Sequence, residues 1–487
     1  MKKILRLIFL VIIIFTLYLL YNVATFSGKQ GEAVTVLSTV EFKQAANRLA
    51  EALRIPTVSH GKNLPVDSSA FVRFGRYLEE NYPLTHARLT LKKFSAFSRL
   101  YHWRGTDSGR KPIVLAAHFD VVPVGEENLP LWNHPPFSGL IQNDTLWGRG
   151  AIDDKINIIA IMEAVERLLS GGFEPARDIW LAFGHDEEIE GTRGAKVMSA
   201  WMKERGIRAE WVLDEGYAVL QDMIPGMDGP VAIIGTAEKG YATIRLSVSI
   251  IGGHSSMPEK ETALDVLAGA IRRLKQNPLP ARLSAPVRDF MRYIGPEMPF
   301  AQKLVFANTS LFKNIIFNIY SAKGSGNAMV RTTTAPTIFR SGVKENIIPQ
   351  QAEATVNFRL LPGETREGLM QHVLNTIDDR RIKAVYTSFN AASPVSSVTG
   401  AGFKTIATAI KAVYHNPPVA PNLVIGGTDG RYYYAVSDDV YRFSPIRLNP
   451  RSVKRFHGIN ESIPLGDINE ACNFYLELIR RGADSAP

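Results

Sequence analysis

The chain has 487 residues, of which 45% are hydrophobic and 21% charged, as in an ordinary globular protein of two or three domains. The formal net charge of +9 does not indicate a nucleic-acid site, because neither zinc-finger spacing nor a basic-aromatic stripe accompanies it. Cys472 is the only cysteine, which excludes an intrachain disulfide.

The N-terminus is basic and then strongly apolar. Lys2, Lys3 and Arg6 precede an apolar stretch from residue 7 to about residue 26, which just reaches the ~20 residues that span a bilayer. Such a segment is a membrane anchor or a signal peptide, and we favour a single-pass anchor because no clear small-x-small cleavage site follows. The positive flank then places the rest of the chain on the non-cytoplasmic side of the membrane. The alternative is secretion after signal cleavage.

Strands and helices alternate after a tether at about residues 28–40. The apolar runs 113–117, 179–183 and 211–213 are predicted strands, and residues 158–169 are a predicted helix with apolar side chains at helical spacing. This alternation predicts an α/β fold with a mostly parallel sheet.

The pattern changes near residue 241. Residues 241–251 alternate between apolar and polar side chains, which predicts a half-buried strand of an antiparallel sheet. The order strand-helix-strand-strand-helix-strand follows to about residue 391 and indicates a ferredoxin-like α+β insert. A Pro- and Phe-rich, helical elaboration interrupts it at about 280–330. The aromatic and methionine residues of this elaboration favour an ordinary helical core over an acyl-chain groove.

Acidic and histidine residues recur near the predicted strand ends. The clusters, in chain order, are His118-Phe119-Asp120, Asp153-Asp154, Glu187-Glu188, Asp214-Glu215 and His457-Gly458. In an open α/β sheet, ligands bind at the carboxyl ends of the strands. Imidazole nitrogens and carboxylate oxygens from several elements suit hard-to-borderline cations. The ordered set therefore predicts one binuclear metal site.

Seven longer motifs carry a resemblance to a known family. They are AAHFDVVPV (116–124), LWGRGAIDDK (146–155), HDEEIEG (185–191), GGHSSMP (252–258), VRTTTAPTIFRSGVKENIIPQQAEATVNFRLLPGET (330–365), GGTDGRYY (426–433) and HGINESIP (457–464). In this order they resemble the co-catalytic zinc metallopeptidases of family M20, which include aminoacylases, glutamate-type carboxypeptidases and succinyl-diaminopimelate desuccinylases. The chain is most similar to the carboxypeptidase S branch, which contains the N-fatty-acyl-amino-acid hydrolase/synthases.

The resemblance implies a zinc-exopeptidase catalytic domain with a ferredoxin-like lid or dimerisation domain inserted into it. We expect an anchor or signal segment at 1–27, the catalytic domain at 28–240 and 392–487, and the lid at 241–391. The resemblance also allows a homodimer through the lid.

The resemblance implies two zinc ions per chain. Asp153 bridges them in this scheme, with His118 and Asp214 completing one site and Glu188 and His457 completing the other. Three protein ligands per ion leave room for a shared water, which is typical of catalytic zinc.

The same resemblance implies roles for further residues near the metals. Asp120 holds the imidazole or polarises the ion, and Glu187 is the general base that activates the water. His254 donates to the oxyanion, often from the partner subunit of a dimer. A cis peptide bond between Asp153 and Asp154 aims the bridging carboxylate in relatives.

Four residues match substrate-binding positions of the family. Asn346 and Arg359 match residues that hold a free carboxylate, for which arginine offers a bidentate fork. Gly427 and Thr428 line the pocket in relatives, and Arg431 in the same motif is a further candidate for it.

The predicted function is a zinc hydrolase that cleaves an amide or peptide bond next to a free carboxylate, as a carboxypeptidase or an N-acyl-amino-acid amidohydrolase. Its substrates are then peptides or N-acyl amino acids. The alternatives are an aminopeptidase or desuccinylase of the same family, or a non-catalytic binding protein on this fold. Glu187 and a complete ligand set argue against the non-catalytic alternative.

Overall fold

Helices and strands alternate over most of the chain, of which the structure, a computed structural model, describes residues 1–62, 64–65 and 67–484. The strands are β1 Thr90–Phe94, β2 Ser98–Trp103, β3 Ile113–His118, β4 Leu140–Gln142, β5 Thr145–Trp147, β6 Ile179–Gly184, β7 Trp211–Gln221, β8 Pro230–Glu238, β9 Gly240–Ser249, β10 Gly253–His254, β11 Thr333–Ser341, β12 Ile347–Ile348, β13 Gln351–Leu360, β14 Lys383–Asn390, β15 Val419–Val424, β16 Val440–Leu448 and β17 Ser462–Pro464. The helices are α1 Lys2–Thr25, α2 Ala45–Leu53, α3 Ser68–Asn81, α4 Pro83–Arg88, α5 Lys155–Ser170, α6 Ala195–Glu204, α7 Ala263–Gln276, α8 Ala285–Ile294, α9 Phe300–Ala307, α10 Thr309–Ser321, α11 Gly324–Val330, α12 Arg366–Ile377, α13 Ala401–Val413, α14 Gly430–Tyr433 and α15 Leu465–Asp484.

The larger sheet has eight strands in the order β1-β2-β6-β3-β7-β16-β8-β15. Its centre is parallel, since β3 pairs in parallel with β6 and β7, and β7 with β16. β1 and β2 are antiparallel additions at one edge. The predicted α/β fold with a mixed, mostly parallel sheet is confirmed.

Helices cover both faces of this sheet. Every residue of β3 and of β6 is buried, which explains why these strands are continuous apolar runs without alternation. Ile113 and Leu115 belong to the core under α5 and α15, whereas Val114 and Ala116 belong to the core under α6. The strand ends therefore remain the open edge at which polar side chains can meet.

A second sheet of four antiparallel strands has the order β11-β13-β9-β14. α7 and α12 pack on one face of it, over a core of their own. β9 buries alternate residues, as the alternating sequence predicts. With α7 between β9 and β11 and α12 between β13 and β14, the order along the chain is that of a ferredoxin-like unit.

The elaboration that interrupts the ferredoxin-like unit is helical, as predicted. Helices α8 to α11 pack against β8 and β15 around a core of their own. Phe290 and Met291 are buried in that core, which agrees with an ordinary helical core at these two positions. α1, with 24 residues, is long and apolar enough to cross a membrane, and none of its residues is fully buried.

Candidate metal centre

His118 ends β3 with its imidazole buried. Its Nδ1 lies 3.0 Å from the carbonyl oxygen of Asp120 and 3.3 Å from Asp120 Oδ1. With Nδ1–H donating to these oxygens, Nε2 keeps a free lone pair and the ring is held in one orientation. The side chain is therefore prepared to bind a cation through Nε2.

Asp153 lies between two histidines. Its Oδ1 is 3.1 Å from His118 Nε2, and its Oδ2 is 3.1 Å from His457 Nε2. The peptide bond to Asp154 is cis, as the sequence resemblance predicts. Because each oxygen of one carboxylate faces a different imidazole, the geometry suits a carboxylate shared by two cations.

Glu188 joins His457 on the far side of Asp153. Glu188 Oε2 lies 3.2 Å from His457 Nε2, and Glu188 Oε1 is buried without a hydrogen-bond partner among the described residues. The hydrogen bonds to Asp153 and Glu188 raise the pKa of His457 to about 10. Asp153, Glu188 and His457 thus form a second group of converging ligand atoms.

Glu215, rather than Asp214, completes the group around His118. Glu215 Oε1 lies 3.3 Å from His118 Nε2. Neighbouring side chains on a strand point to opposite faces, and Asp214 Oδ2 instead accepts a hydrogen bond of 2.5 Å from Gly430 N. The geometry therefore places Glu215, and not the predicted ligand Asp214, beside His118, and the choice of ligand between them stays a prediction.

Asp120 connects His118 to the turn that carries Glu187 and Glu188. Its fully buried carboxylate accepts hydrogen bonds from Glu187 N at 3.1 Å and from Glu188 N at 3.2 Å. Burial raises the pKa of the Glu187 carboxyl well above its usual range, and the charge of Glu215 raises it further. A carboxyl group with a raised pKa can accept a proton and later release it, as a general base must.

The donor set fits a pair of divalent cations. Asp153, Glu188 and Glu215 converge with two imidazoles, and no lysine or arginine in the described part of the chain forms an ion pair with these three carboxylates. Burial and the neighbouring charge of Asp153 raise the pKa of Glu215 to about 8. Buried carboxylates in this number need positive charge, and mixed nitrogen and oxygen ligands match zinc and similar ions.

Residues 114–481 match the sequence profile of peptidase family M20/M25/M40. The chain belongs to this family. It is therefore an enzyme, a hydrolase of amide bonds.

Curated relatives of this M20 chain are similar over most of their length. The probable carboxypeptidase S-like 2 of Dictyostelium discoideum is 38% identical, with 95% of this chain and 91% of the relative covered. The N-fatty-acyl-amino acid synthase/hydrolase PM20D1 of Xenopus tropicalis is also 38% identical, with 93% and 89% covered. The crystal structure of the M20 family metallo-carboxypeptidase Sso-CP2 from Sulfolobus solfataricus shares the fold, with a TM-score of 0.65, 20% identity and 90% and 99% covered.

The arm formed by β10 and β12 carries two further predicted site residues of the M20 chain. His254 pairs with Ile347 across the arm, and Ser255 N donates to the carbonyl oxygen of Asn346 at 3.2 Å. His254 and Asn346 are neighbours here, and both are exposed. Within the described residues, no contact joins them to the metal centre, so the catalytic role of His254 and the substrate-binding role of Asn346 stay predictions.

Arg359 lies on β13, in the second sheet. Its guanidinium stands 5.0 Å from the centre of the Tyr241 ring, and the side chain is half-buried. In the described part of the chain the Arg359 guanidinium forms no ion pair, so its positive charge has no acidic partner there. Its role toward a substrate carboxylate stays a prediction.

The Gly427-Thr428 loop approaches the centre from β15. Thr428 donates from both N and Oγ1 to Glu238 Oε2 at 3.0 Å. A Cβ on Gly427 would come within 3.0 Å of Arg431 Nη1, and the Arg431 guanidinium interacts with the charge of Glu187. The loop therefore lies against Arg431, whose guanidinium is close to the predicted base Glu187.

Glu461 organises the loop that presents Asp153, and the sequence analysis missed it. Its fully buried carboxylate accepts hydrogen bonds from Gly150 N at 3.0 Å and Ile152 N at 2.9 Å, and pairs with Arg149 Nη1 at 2.6 Å. The motif HGINESIP contains this glutamate, but nothing in the sequence indicates that it contacts a loop about 300 residues earlier.

Proposed function

We propose that this M20 enzyme is a zinc-dependent hydrolase of an amide bond adjacent to a free carboxylate, in N-acyl amino acids or peptides. The main support for the proposal is the position of the Asp153 carboxylate, whose two oxygens lie 3.1 Å from His118 Nε2 and from His457 Nε2. The names of the two 38% identical relatives, a carboxypeptidase S-like protein and an N-fatty-acyl-amino acid synthase/hydrolase, support this substrate class.

In this proposal His118, Asp153 and Glu215 would hold one ion, and Asp153, Glu188 and His457 would hold the other. When bound, the two zinc ions would lower the pKa of a water and polarise the scissile carbonyl. Three protein ligands to each ion leave the remaining positions to water and substrate.

Glu187 takes a proton from the attacking water and delivers it to the leaving nitrogen. Asp120 is a positioning residue, because its carboxylate fixes the backbone of Glu187 and its neighbour Glu188. His254 donates a hydrogen bond to the oxyanion after the ferredoxin-like unit, proposed as a lid spanning 241–391, closes over the centre. The exposed position of His254 on an arm is consistent with a donor that arrives by closure or from a partner subunit.

The substrate carboxylate is held by Asn346 and Arg359, with Gly427 and Thr428 lining the pocket. Arg359 is the stronger of these assignments because the residue is half-buried and its guanidinium forms no ion pair within the described residues. α1 serves as a single-pass anchor that leaves the catalytic domain on the non-cytoplasmic side.

Arg359→Ala is expected to weaken turnover of acids more than of their amides. A charged hydrogen bond is worth about 1.5–3 kcal/mol, so kcat/KM for an acid over its amide falls by roughly tenfold to a hundredfold. Arg245→Ala, an exposed arginine on neighbouring β9, is the control and leaves the ratio unchanged. Equal losses on acid and amide would assign Arg359 a purely structural role.

The variants Glu215→Gln and Asp214→Asn test which of these two neighbouring carboxylates on β7 binds a metal ion. Glu215→Gln is expected to lower the metal content by about one ion per chain, because an amide is a poor ligand for zinc. Asp214→Asn is expected to keep both ions, because the Asp214 carboxylate accepts from Gly430 N and the asparagine carbonyl oxygen can accept the same hydrogen bond. Elemental analysis of both purified variants decides between them, and the reverse pattern would restore Asp214 as the ligand.

The proposed function is tested with purified full-length protein in detergent. The panel contains N-fatty-acyl and N-acetyl amino acids, dipeptides, and the same compounds with an amidated carboxyl group. The expected result is chelator-sensitive release of the free amino acid from the carboxylates. Preference for a free α-amino group would instead identify an aminopeptidase, and no hydrolysis of any member by metal-loaded protein would reject the proposal.

A further inference from the structure

Helix α10 has apolar side chains on two of its faces. Ile316 is buried in the core beneath the helix. Leu311, Ile315 and Ile319 lie one turn apart on another face and are 49%, 48% and 64% exposed. A surface helix of a globular protein normally turns polar side chains outward. A second apolar stripe therefore indicates that this face does not meet bulk water.

The start of α10 lies next to the end of α1. Asn22 Nδ2 donates to Asn308 Oδ1 at 2.7 Å, and Asn308 Nδ2 donates to the carbonyl oxygen of Leu19 at 3.4 Å. Asn308 stands between α9 and α10 and is 4% exposed. The beginning of α10 is thereby attached to the last turns of the apolar helix.

The length of α1 sets the depth of this attachment in a bilayer. With Lys3 at the cytoplasmic headgroups, a rise of ~1.5 Å per residue places Leu19 and Asn22 about 24 and 29 Å across the membrane. The hydrocarbon core is about 30 Å thick, so both residues lie at its far boundary. Asn308, which contacts both, must lie at the same boundary, and α10 starts one residue later.

The charge of the surrounding segment also suits a lipid surface. Residues 298–331 contain no aspartate or glutamate. They contain Lys303, Lys313, Lys323 and Arg331, of which Lys313 and Lys323 are exposed. Helices that lie in a membrane interface combine an apolar face with basic side chains that reach the headgroups.

We propose that the face of α10 formed by Leu311, Ile315 and Ile319 is embedded in the interface of the same bilayer that holds α1. The catalytic domain then rests on the membrane instead of moving freely on a tether. This inference depends on the proposed anchoring by α1, and its test reports on the two contacts separately.

The test uses full-length protein reconstituted into phosphatidylcholine vesicles that contain phosphatidylserine, with or without brominated acyl chains. Single cysteines carrying a fluorescent label replace Ile315 and Ile319 in α10 and Ile12 in α1. The control label replaces Val343, which lies between β11 and β12 and is 93% exposed. The native Cys472 is buried, so the introduced thiols react selectively. Hydrolase activity of each labelled variant serves as the check that it is folded.

We expect bromine to quench the labels at Ile315→Cys, Ile319→Cys and Ile12→Cys, and to leave Val343→Cys unaffected. Quenching at Ile12→Cys alone would overturn the proposal while preserving the anchor. Absence of quenching at Ile12→Cys would remove the anchor and the proposal together. The fluorescence of the α10 labels could instead be the same with and without bromine, in a particle of twice the chain mass. That result would assign the face to a second copy of the chain and overturn the proposal.

Discussion

Glu187→Gln is expected to lower kcat by about 10²–10⁴-fold, the usual contribution of general acid–base catalysis. Glutamine has nearly the same shape as glutamate but cannot accept a proton from the attacking water. The backbone hydrogen bond from residue 187 to Asp120 does not involve the side chain, so the turn keeps its conformation. Metal content and substrate affinity should therefore stay near those of the wild type.

Glu190→Gln is the matched control, because Glu190 follows the same turn and its side chain is 43% exposed. Its kcat is expected to stay close to the wild-type value. Steady-state kinetics and elemental analysis on the three proteins give the comparison. Wild-type kcat in Glu187→Gln would remove the general-base role, and loss of metal from that variant would make Glu187 a ligand instead.

Asp153→Asn is expected to lose both metal ions and, with them, essentially all activity. Each Asp153 oxygen faces a different histidine at 3.1 Å, so one substitution weakens both groups of ligands. Ions that bind only the folded state stabilise it by mass action. A chelator should therefore lower the Tm of the wild type and leave the Tm of Asp153→Asn unchanged.

Asp144→Asn is the control for this change, since Asp144 is exposed and has a positive φ that asparagine also adopts readily. It should keep both ions and the chelator response. Retention of two ions per chain by Asp153→Asn would contradict the shared position of this carboxylate, and retention of one ion would assign it to a single site.

The sequence is sufficient to predict most of the fold, because the signals are local. The apolar runs at 113–117 and 179–183 predict strands buried on both faces, and β3 and β6 are buried throughout. The alternation at 241–251 predicts a half-buried strand, and β9 has that burial pattern. Boundaries were less accurate, since β7 continues to Gln221, well past the predicted end at 213.

The choice between Asp214 and Glu215 shows where local signals fail. Adjacent side chains on a strand point to opposite faces, and a one-residue error exchanges the two faces. The apolar run before Asp214 is buried on both sides and has no alternation to fix the facing of the next residue. Only the pairing of β7 with β3 and β16 decides that Glu215 meets His118.

Glu461 shows a different failure, because its role depends on contacts remote in sequence. It accepts hydrogen bonds from Gly150 N and Ile152 N, both about 300 residues earlier in the chain. A buried carboxylate stabilised by backbone N–H groups has no sequence pattern of its own. His254 and Asn346 are neighbours for a similar reason, since β10 pairs with β12.

The most direct test of the two-metal hydrolase is a titration of metal-free, full-length protein with zinc, followed by the rate of hydrolysis of an N-acyl amino acid. We expect no activity before zinc is added and a rate that reaches its maximum at two ions per chain. Full activity in protein shown by elemental analysis to contain no metal would contradict this expectation.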